Sequence, residues 1–254
     1  RTLTSAIALA TLSTVAHAQE GAQLNTMVVS ASGFEQALVD APASISVITR
    51  EELERTRVTS IADALRDVEG VDVGGQVGKT GGSNISIRGM PSDYTLILID
   101  GRRQNAAGSV TPNGFGETST SFFPPVSSIE RIEVIRGPMS TLYGSDAMGG
   151  VINIITRRVG REWTGSIGIE NTFNQDRDFG DRREINLYTS GPLIEDTVGV
   201  QLRGRFYERD ASELVYSDEN GDPIEVSQRG PSPVEGDTYN LGGKLTWTPT
   251  GSHD

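Results

Sequence analysis

The chain has 254 residues and carries 34 acidic against 22 basic side chains, a formal net charge of −12. That balance opposes a nucleic-acid partner, which requires a basic footprint. Cysteine is absent and histidine occurs only as His17 and His253. Disulfides and thiol chemistry are therefore excluded, and a His-dependent triad or a zinc site is disfavoured.

The charge is uneven. Residues 208–237 hold nine Asp or Glu against Arg209 and Arg229, whereas residues 101–116 hold Arg102 and Arg103 and no acid. At the N-terminus, an apolar, small-residue stretch from Ala6 to Val15 runs into Ala16-His17-Ala18 and then Gln19. This reads as the apolar region and A-x-A cleavage site of an export signal over residues 1–18, clipped at its front, with the mature chain starting near Gln19. The stretch is too short for a membrane-spanning helix. Residues 19–24 read as a flexible leader.

From about 25 to 158 the pattern is that of a compact α+β unit. Thr49-Arg50-Glu51-Glu52 has the form of a capping box that opens a short helix. Ser60-x-x-Asp63 opens another, with Ile61, Ala64, Leu65 and Val68 on one helical face and Gly70 as its stop. Apolar or alternating runs at 44–48, 84–88, 95–99, 131–135 and 151–155 supply strands. Between the last two lie an Arg136-Gly137-Pro138 break, a Tyr143-Gly144 corner and the Gly149-Gly150 pair, the punctuation of a tight turn region.

From about 162 the alternation lengthens, with segments at 163–173, 183–191, 197–207 and 239–248. Each is roughly 9–11 residues, the length of a tilted strand crossing a bilayer. In 197–207, Val198, Val200, Leu202 and Phe206 share one face, and Gln201, Arg203 and Arg205 share the other. In 239–248, Tyr239, Leu241, Leu245 and Trp247 oppose Asn240, Lys244 and Thr246. A polar loop joins the first two segments, a short Gly191-Pro192 turn leads to the third, and a long loop over 208–237 precedes the last. Short turns on one side and long loops on the other fit a membrane barrel. A soluble antiparallel sheet, polar on one face and apolar on the other, would give the same alternation.

Two nucleotide- or metal-like motifs fail on their own spacing. Gly74 to Thr80 nearly matches a phosphate-binding loop, but Val73 stands at its first glycine position and no helix pattern follows Thr80. Asp218-x-Asn220-x-Asp222 starts like a calcium loop, yet Pro223 replaces the turn glycine and the distal Glu is misplaced.

Several runs together resemble one family. IERIEVIRGPMSTLYGSDAMGGVINIIT at 129–156, NTMVVSAS at 25–32, APASISVITREEL at 41–53, ISIRGM at 85–90 and YTLILIDGRRQ at 94–104 are similar to the plug of TonB-dependent outer-membrane receptors. The likeness is strongest to the branch of catecholate siderophore and colicin I receptors, and it spans nearly everything after residue 19. It implies an α+β plug, the TonB box included, over 25–158. The first four or so antiparallel strands of a transmembrane β-barrel follow over 162–254. Receptors of this family carry about 22 strands, the size class whose lumen is plugged. Four strands cannot close a barrel, so the chain reads as an N-terminal fragment of such a receptor.

The resemblance also implies sites. Asn25, Thr26, Met27, Val28, Val29 and Ser30 stand where the TonB box lies, a segment that can add as an extended strand to a partner's sheet edge. Arg88 and Arg136, each before a glycine, match arginines that pair with barrel-wall carboxylates and hold the plug, a task suited to bidentate guanidinium. Arg102, Arg103, Gln104, Asn105 and Phe115 lie in an apex segment, 101–123, that also holds Phe122 and Phe123. Arginine charge and cation–π contact suit an anionic, aromatic ferric catecholate. A solvated loop filling the barrel mouth is the competing reading of that segment.

The implied partners are a ferric siderophore, TonB and outer-membrane lipid, with the N-terminus in the periplasm; colicin or phage use is compatible. No catalytic residue, resident metal or cofactor is implied, because iron enters and leaves as its chelate. Of the rivals, a passive plugged channel would lack the TonB-box-like strand, and a nucleotide hydrolase would need the failed phosphate loop.

Overall fold

The computed structural model describes residues 27–28, 36–37, 44–56, 58–75, 81–104, 118–175, 179–212, 216–224 and 235–248. The expected export signal and leader lie outside these residues. In chain order, β1 (Met27–Val28) pairs antiparallel with β2 (Gln36–Ala37). There follow β3 (Ser44–Thr49), α1 (Arg50–Thr56) and α2 (Ile61–Arg66). Both helix starts carry the caps their sequences call for. The Glu52 N–H donates to Thr49 Oγ1 at 3.4 Å, and the Asp63 N–H donates to Ser60 Oγ at 3.1 Å. Ile61, Ala64, Leu65 and Val68 are buried as their spacing requires, and Gly70 takes the left-handed backbone (φ +75°) that leads the chain out of the helix.

Next come β4 (Val71–Val73), β5 (Ile85–Ile87), β6 (Thr95–Ile99), β7 (Arg102–Arg103), the short helix α3 (Thr118–Ser121), β8 (Ile129–Arg136), α4 (Ser140–Tyr143) and β9 (Gly150–Thr156). A five-stranded sheet in the order β3-β8-β9-β6-β7 forms the centre, with β6 and β9 parallel and the other pairs antiparallel. Its central strands β6 and β9 read as near-continuous apolar runs because both their faces are covered. One face packs Ile132, Val134, Ile152 and Ile154 against Leu53, Leu65 and Ile87; the other packs Leu96, Leu98, Ile135 and Val151 with Ala147. Gly150 permits the tightest approach, since a Cβ there would lie 2.3 Å from the Ile135 carbonyl oxygen.

Two Xaa-Gly turns shape this unit. Asp100 (φ +49°) and Gly101 (φ +75°) form the two-residue hairpin between β6 and β7, the signature of an Asp-Gly type I′ turn. Arg88 (φ +55°) and Gly89 (φ +73°) turn the chain after β5, with the Met90 N–H donating to the Ile87 carbonyl. A left-handed arginine is unusual and costs on the order of 1 kcal/mol.

A separate sheet of four consecutive antiparallel strands follows: β10 (Thr164–Thr172), β11 (Arg182–Ile194), β12 (Val198–Arg209) and, after a small hairpin of β13 (Tyr216–Ser217) and β14 (Pro223–Ile224), β15 (Gly236–Trp247). The turn expected at Gly191-Pro192 lies further on, at residues 195–197, with Asp196 at φ +55°. β11 runs through Pro192, which pairs with Gly199 across a local bulge. β10 stops pairing at Ser190, so the flank of Pro192 beyond it has no strand to receive an N–H, the position where a strand tolerates proline.

The two faces of this sheet are reversed relative to a soluble domain. Ile167, Ile169, Ile185, Leu187, Leu202, Phe206, Tyr239, Leu241, Leu245 and Trp247 are all exposed. The face turned to the plug carries Glu184, Asn186, Tyr188, Ser190, Gln201, Arg205, Tyr207 and Lys244, with Gln201 0 % exposed. A water-soluble sheet would bury the first set and expose the second. This arrangement suits an apolar solvent outside and a polar filling inside.

Candidate functional site

The expected partner-binding strand is only partly visible. Met27 and Val28 are extended and paired, Met27 opposite Ala37 and Val28 opposite Gln36. Asn25, Thr26, Val29 and Ser30 lie outside the described residues.

At the expected ligand segment, Arg102 and Arg103 are both exposed on β7, opposite Ile99 and Leu98. The two are not equivalent. Arg103 Nη1 donates to Asp146 Oδ2 at 2.6 Å, closing the hairpin onto the turn region between α4 and β9. Its charge is therefore already balanced, and among the described residues of this edge Arg102 is left as the cation available to an anion. Gln104 turns its amide back onto the carbonyls of Arg102 and Arg103. Asn105 and Phe115 lie outside the described residues. Phe123, grouped with this segment on sequence, is 6 % exposed in the plug core, so it is a packing residue. Phe122 remains exposed.

The two expected locking arginines converge. Arg136 Nη1 donates to the Glu69 carbonyl at 2.8 Å, and a Cβ on Gly70 would touch Arg136 Cδ and Arg88 Cγ. Arg88 Nη1 lies beside Gly137. Neither guanidinium meets a carboxylate among the described residues, and the buried Nε of Arg136 has no hydrogen-bond partner there. The pair thus stands on one side of the plug with donors to spare.

The contacts that do join plug and wall went unnoticed in the sequence. Arg205 braces Glu184 with two bonds of 2.8 Å and donates across the seam to the Ser121 carbonyl at 2.6 Å. The Asn240 amide donates to the Phe122 carbonyl. Lys244 Nζ donates to Asp100 Oδ2 at 3.2 Å and to Thr156 Oγ1 at 3.4 Å. Burial pushes the Asp100 carboxyl upward, but the Thr156 hydroxyl and N–H and the Lys244 charge outweigh it, leaving its pKa below the ordinary 3.8. The only signal in the sequence was parity, which put Arg205, Asn240 and Lys244 on the polar face.

Two cavities straddle the same seam. One of about 270 Å³ lies between Ser60, Asp63 and Arg66 of the α2 region, Pro124 and Pro125, and the wall's Glu184 and Arg205. The other, about 670 Å³, adjoins Asp100, Arg131, Asn153, Thr156 and Lys244. In the β13–β14 hairpin, Asp218 Oδ1 accepts the N–H groups of Asn220 and Asp222. Those backbone bonds hold its carboxyl below the ordinary range, so this carboxylate organises a turn. No cluster of three or more potential metal ligands occurs among the described residues. Nor is any described helix long and apolar enough to cross a membrane.

Comparison with known proteins agrees with this geometry. Residues 37–151 match the family profile described as the TonB-dependent receptor plug domain. An iron-regulated outer-membrane virulence protein of Vibrio cholerae is 48 % identical over 75 % of the chain and 29 % of its own length. The crystal structure of the siderophore receptor PirA from Acinetobacter baumannii superposes with a TM-score of 0.62 at 34 % identity, covering 81 % of this chain and 29 % of that one. The ferric enterobactin receptor PfeA of Pseudomonas aeruginosa, solved as a mutant in complex with enterobactin, gives a TM-score of 0.60 at 27 % identity, covering 81 % and 31 %. The chain spans about a third of the length of these relatives. The central α+β unit is therefore a TonB-dependent receptor plug domain, and the strands that follow it are arranged as in solved siderophore receptors of that family.

Proposed function

We propose that this chain belongs to an outer-membrane receptor that imports a ferric siderophore, of catecholate type, by TonB-driven displacement of its plug. The observation that carries the reading is the reversed sheet: an exposed apolar face on strands of 9 to 13 residues, with a polar face on a plug domain. A plug held against a lipid-facing wall is a gate, and an open sheet edge within lipid requires further strands to close it. The chelate binds where the plug edge bearing Arg102 and Gln104 meets external loops, and Asn105 and Phe115 are further candidates to contact it. Arg88 and Arg136, with unspent donors on a left-handed turn and its neighbour, take carboxylates of the remaining wall. Asn25 to Ser30 pair with TonB from the periplasm, since extended β1 is short and among the described residues is joined to a single partner strand. Residues 1–18 act as the export signal. Colicins or phage that dock on the external loops fit the same architecture.

The test is iron-limited growth of a receptor-null strain carrying the full-length gene. It is fed purified catecholate and hydroxamate siderophores, with cobalamin uptake scored alongside, in the presence and absence of TonB. Growth on a catecholate that requires TonB is expected. Growth independent of TonB would replace this reading with a passive channel, and uptake of cobalamin alone would replace the ligand class.

A further inference from the structure

We propose that Asp100, Thr156 and Lys244 form a latch that pins the plug sheet to the wall and sets how readily the plug comes away. This rests on the receptor reading above. β6 and β9 are parallel neighbours, so no hairpin ties their ends together. Asp100 does that work twice. Its N–H donates to the Ile154 carbonyl at 2.9 Å, and its carboxylate accepts the Thr156 N–H at 2.8 Å and the Thr156 hydroxyl at 2.6 Å. Lys244, facing inward from β15, then fastens this junction to the wall. The Arg205 and Asn240 contacts reach only carbonyls at the end of α3, whereas Lys244 grips the plug sheet itself.

Three features make it a latch and not a permanent brace. First, the grip is one ammonium group with two long bonds, of 3.2 and 3.4 Å, and its ion pair joins partly exposed groups, 36 % and 28 %. A bidentate guanidinium pair such as Arg205 with Glu184 is harder to release. Lys79 and Lys244 are the only lysines in the chain, so this wall position departs from its arginine-rich surroundings. Second, the seam beside it is poorly bonded. Ser190, Gln201 and Lys244 are cross-strand neighbours on the inner face. Both polar atoms of the buried Gln201 carboxamide, and the Ser190 hydroxyl oxygen, have no hydrogen-bond partner among the described residues. Polar load on this part of the seam therefore falls on Lys244, helped by the Arg157 guanidinium that lies 5.4 Å over the Tyr188 ring. Third, the cavity of about 670 Å³ alongside leaves room for the junction to swing free.

Among the described residues, Glu130 is the other acid that lines this cavity, together with Arg131, Arg157 and Arg158. Arg131 is paired with the buried Glu133 at 2.8 Å, and Arg203 lies within the field of Asp100. Asp100, at 3.2 Å from Lys244, is thus the carboxylate best placed for re-closure.

The experiment uses the full-length receptor in outer membranes with Lys244→Met, Lys244→Arg and Asp100→Asn, each first checked for heat-modifiable migration as a folded barrel. Hydrogen exchange is read on a peptide containing Thr156, and sensitivity to a glycopeptide antibiotic too large for porins is read in cells. Lys244→Met should lower Thr156 protection about fivefold, the effect of losing one partly exposed charged hydrogen bond, and should raise antibiotic sensitivity. Asp100→Asn, which tolerates the left-handed turn, should act in the same direction, and Lys244→Arg should keep protection near wild type. Folded Lys244→Met receptor with unchanged protection and unchanged permeability overturns the latch. If Lys244→Met does not assemble, Asp100→Asn decides by permeability, since Asp100 itself accepts the Thr156 N–H and its exchange would change without any latch; unchanged permeability then overturns the latch. Neither reading needs a siderophore, so failure of uptake by the wild-type receptor would sink the transport function without touching this result.

Discussion

Leu241 offers the sharpest test of which solvent the outer face of the sheet meets. It is the sixth of twelve residues in β15 and is 69 % exposed. In the ladder it shares a row with Gly204, Leu187 and Ile167. Twelve residues at about 3.3 Å each, tilted by about 40°, rise roughly 30 Å, slightly more than an apolar band of about 25 Å. Leu241 therefore falls near the midplane. Arginine there should cost about 2–4 kcal/mol in lipid, roughly 30- to 700-fold in the folding equilibrium. Asp237, on the same face but near the strand's outer end, should accept arginine at a cost of about 0–1 kcal/mol. The assay is a reversible denaturant titration of the full-length receptor in lipid vesicles, comparing Leu241→Arg and Asp237→Arg with wild type. A change at Leu241 below about 0.5 kcal/mol, as expected of an exposed site in water, would refute a lipid-facing sheet.

Val28→Pro removes an N–H and fixes φ within β1, so uptake should collapse while surface binding of the ferric chelate stays near wild type; normal uptake would remove the TonB-pairing role. Arg102→Ala should weaken chelate binding at low salt by about 1–3 kcal/mol, with the loss shrinking at high salt. Arg103→Ala, whose charge is spent on Asp146, should weaken it less; titration of both variants against ferric enterobactin at two salt concentrations decides. Residues 25–158 cut near Gly160 should be monomeric by size-exclusion chromatography, whereas 19–254 should aggregate or need detergent; a monomeric 19–254 without detergent would show a soluble sheet.

Local rules were enough for much of the plug. Thr49 and Ser60 announced their helices because a side-chain cap is a contact within four residues. Phe123 went the other way. Its neighbours placed it in a polar, glycine-rich segment, but it is buried in the cluster that holds Ile61 and Leu65, whose nearness is a tertiary fact. Gly191-Pro192 looked like a turn because proline breaks a ladder, yet β10 had already ended and left that flank free.

By itself the sequence determined the two capped plug helices and the principal strands, which side chains share a face of each wall strand, and which family the plug resembles. Those are matters of spacing and residue type. Only the tertiary structure decided which face turns outward, because an alternating strand is symmetric to inversion until something packs on one side. It also decided which charges are spent. Arg103 meets Asp146, 43 positions away, and Lys244 meets Asp100, 144 positions away. Nothing in the local chain marks either pair, since an ion pair is set by where the backbone brings two groups and not by how far apart they stand in sequence.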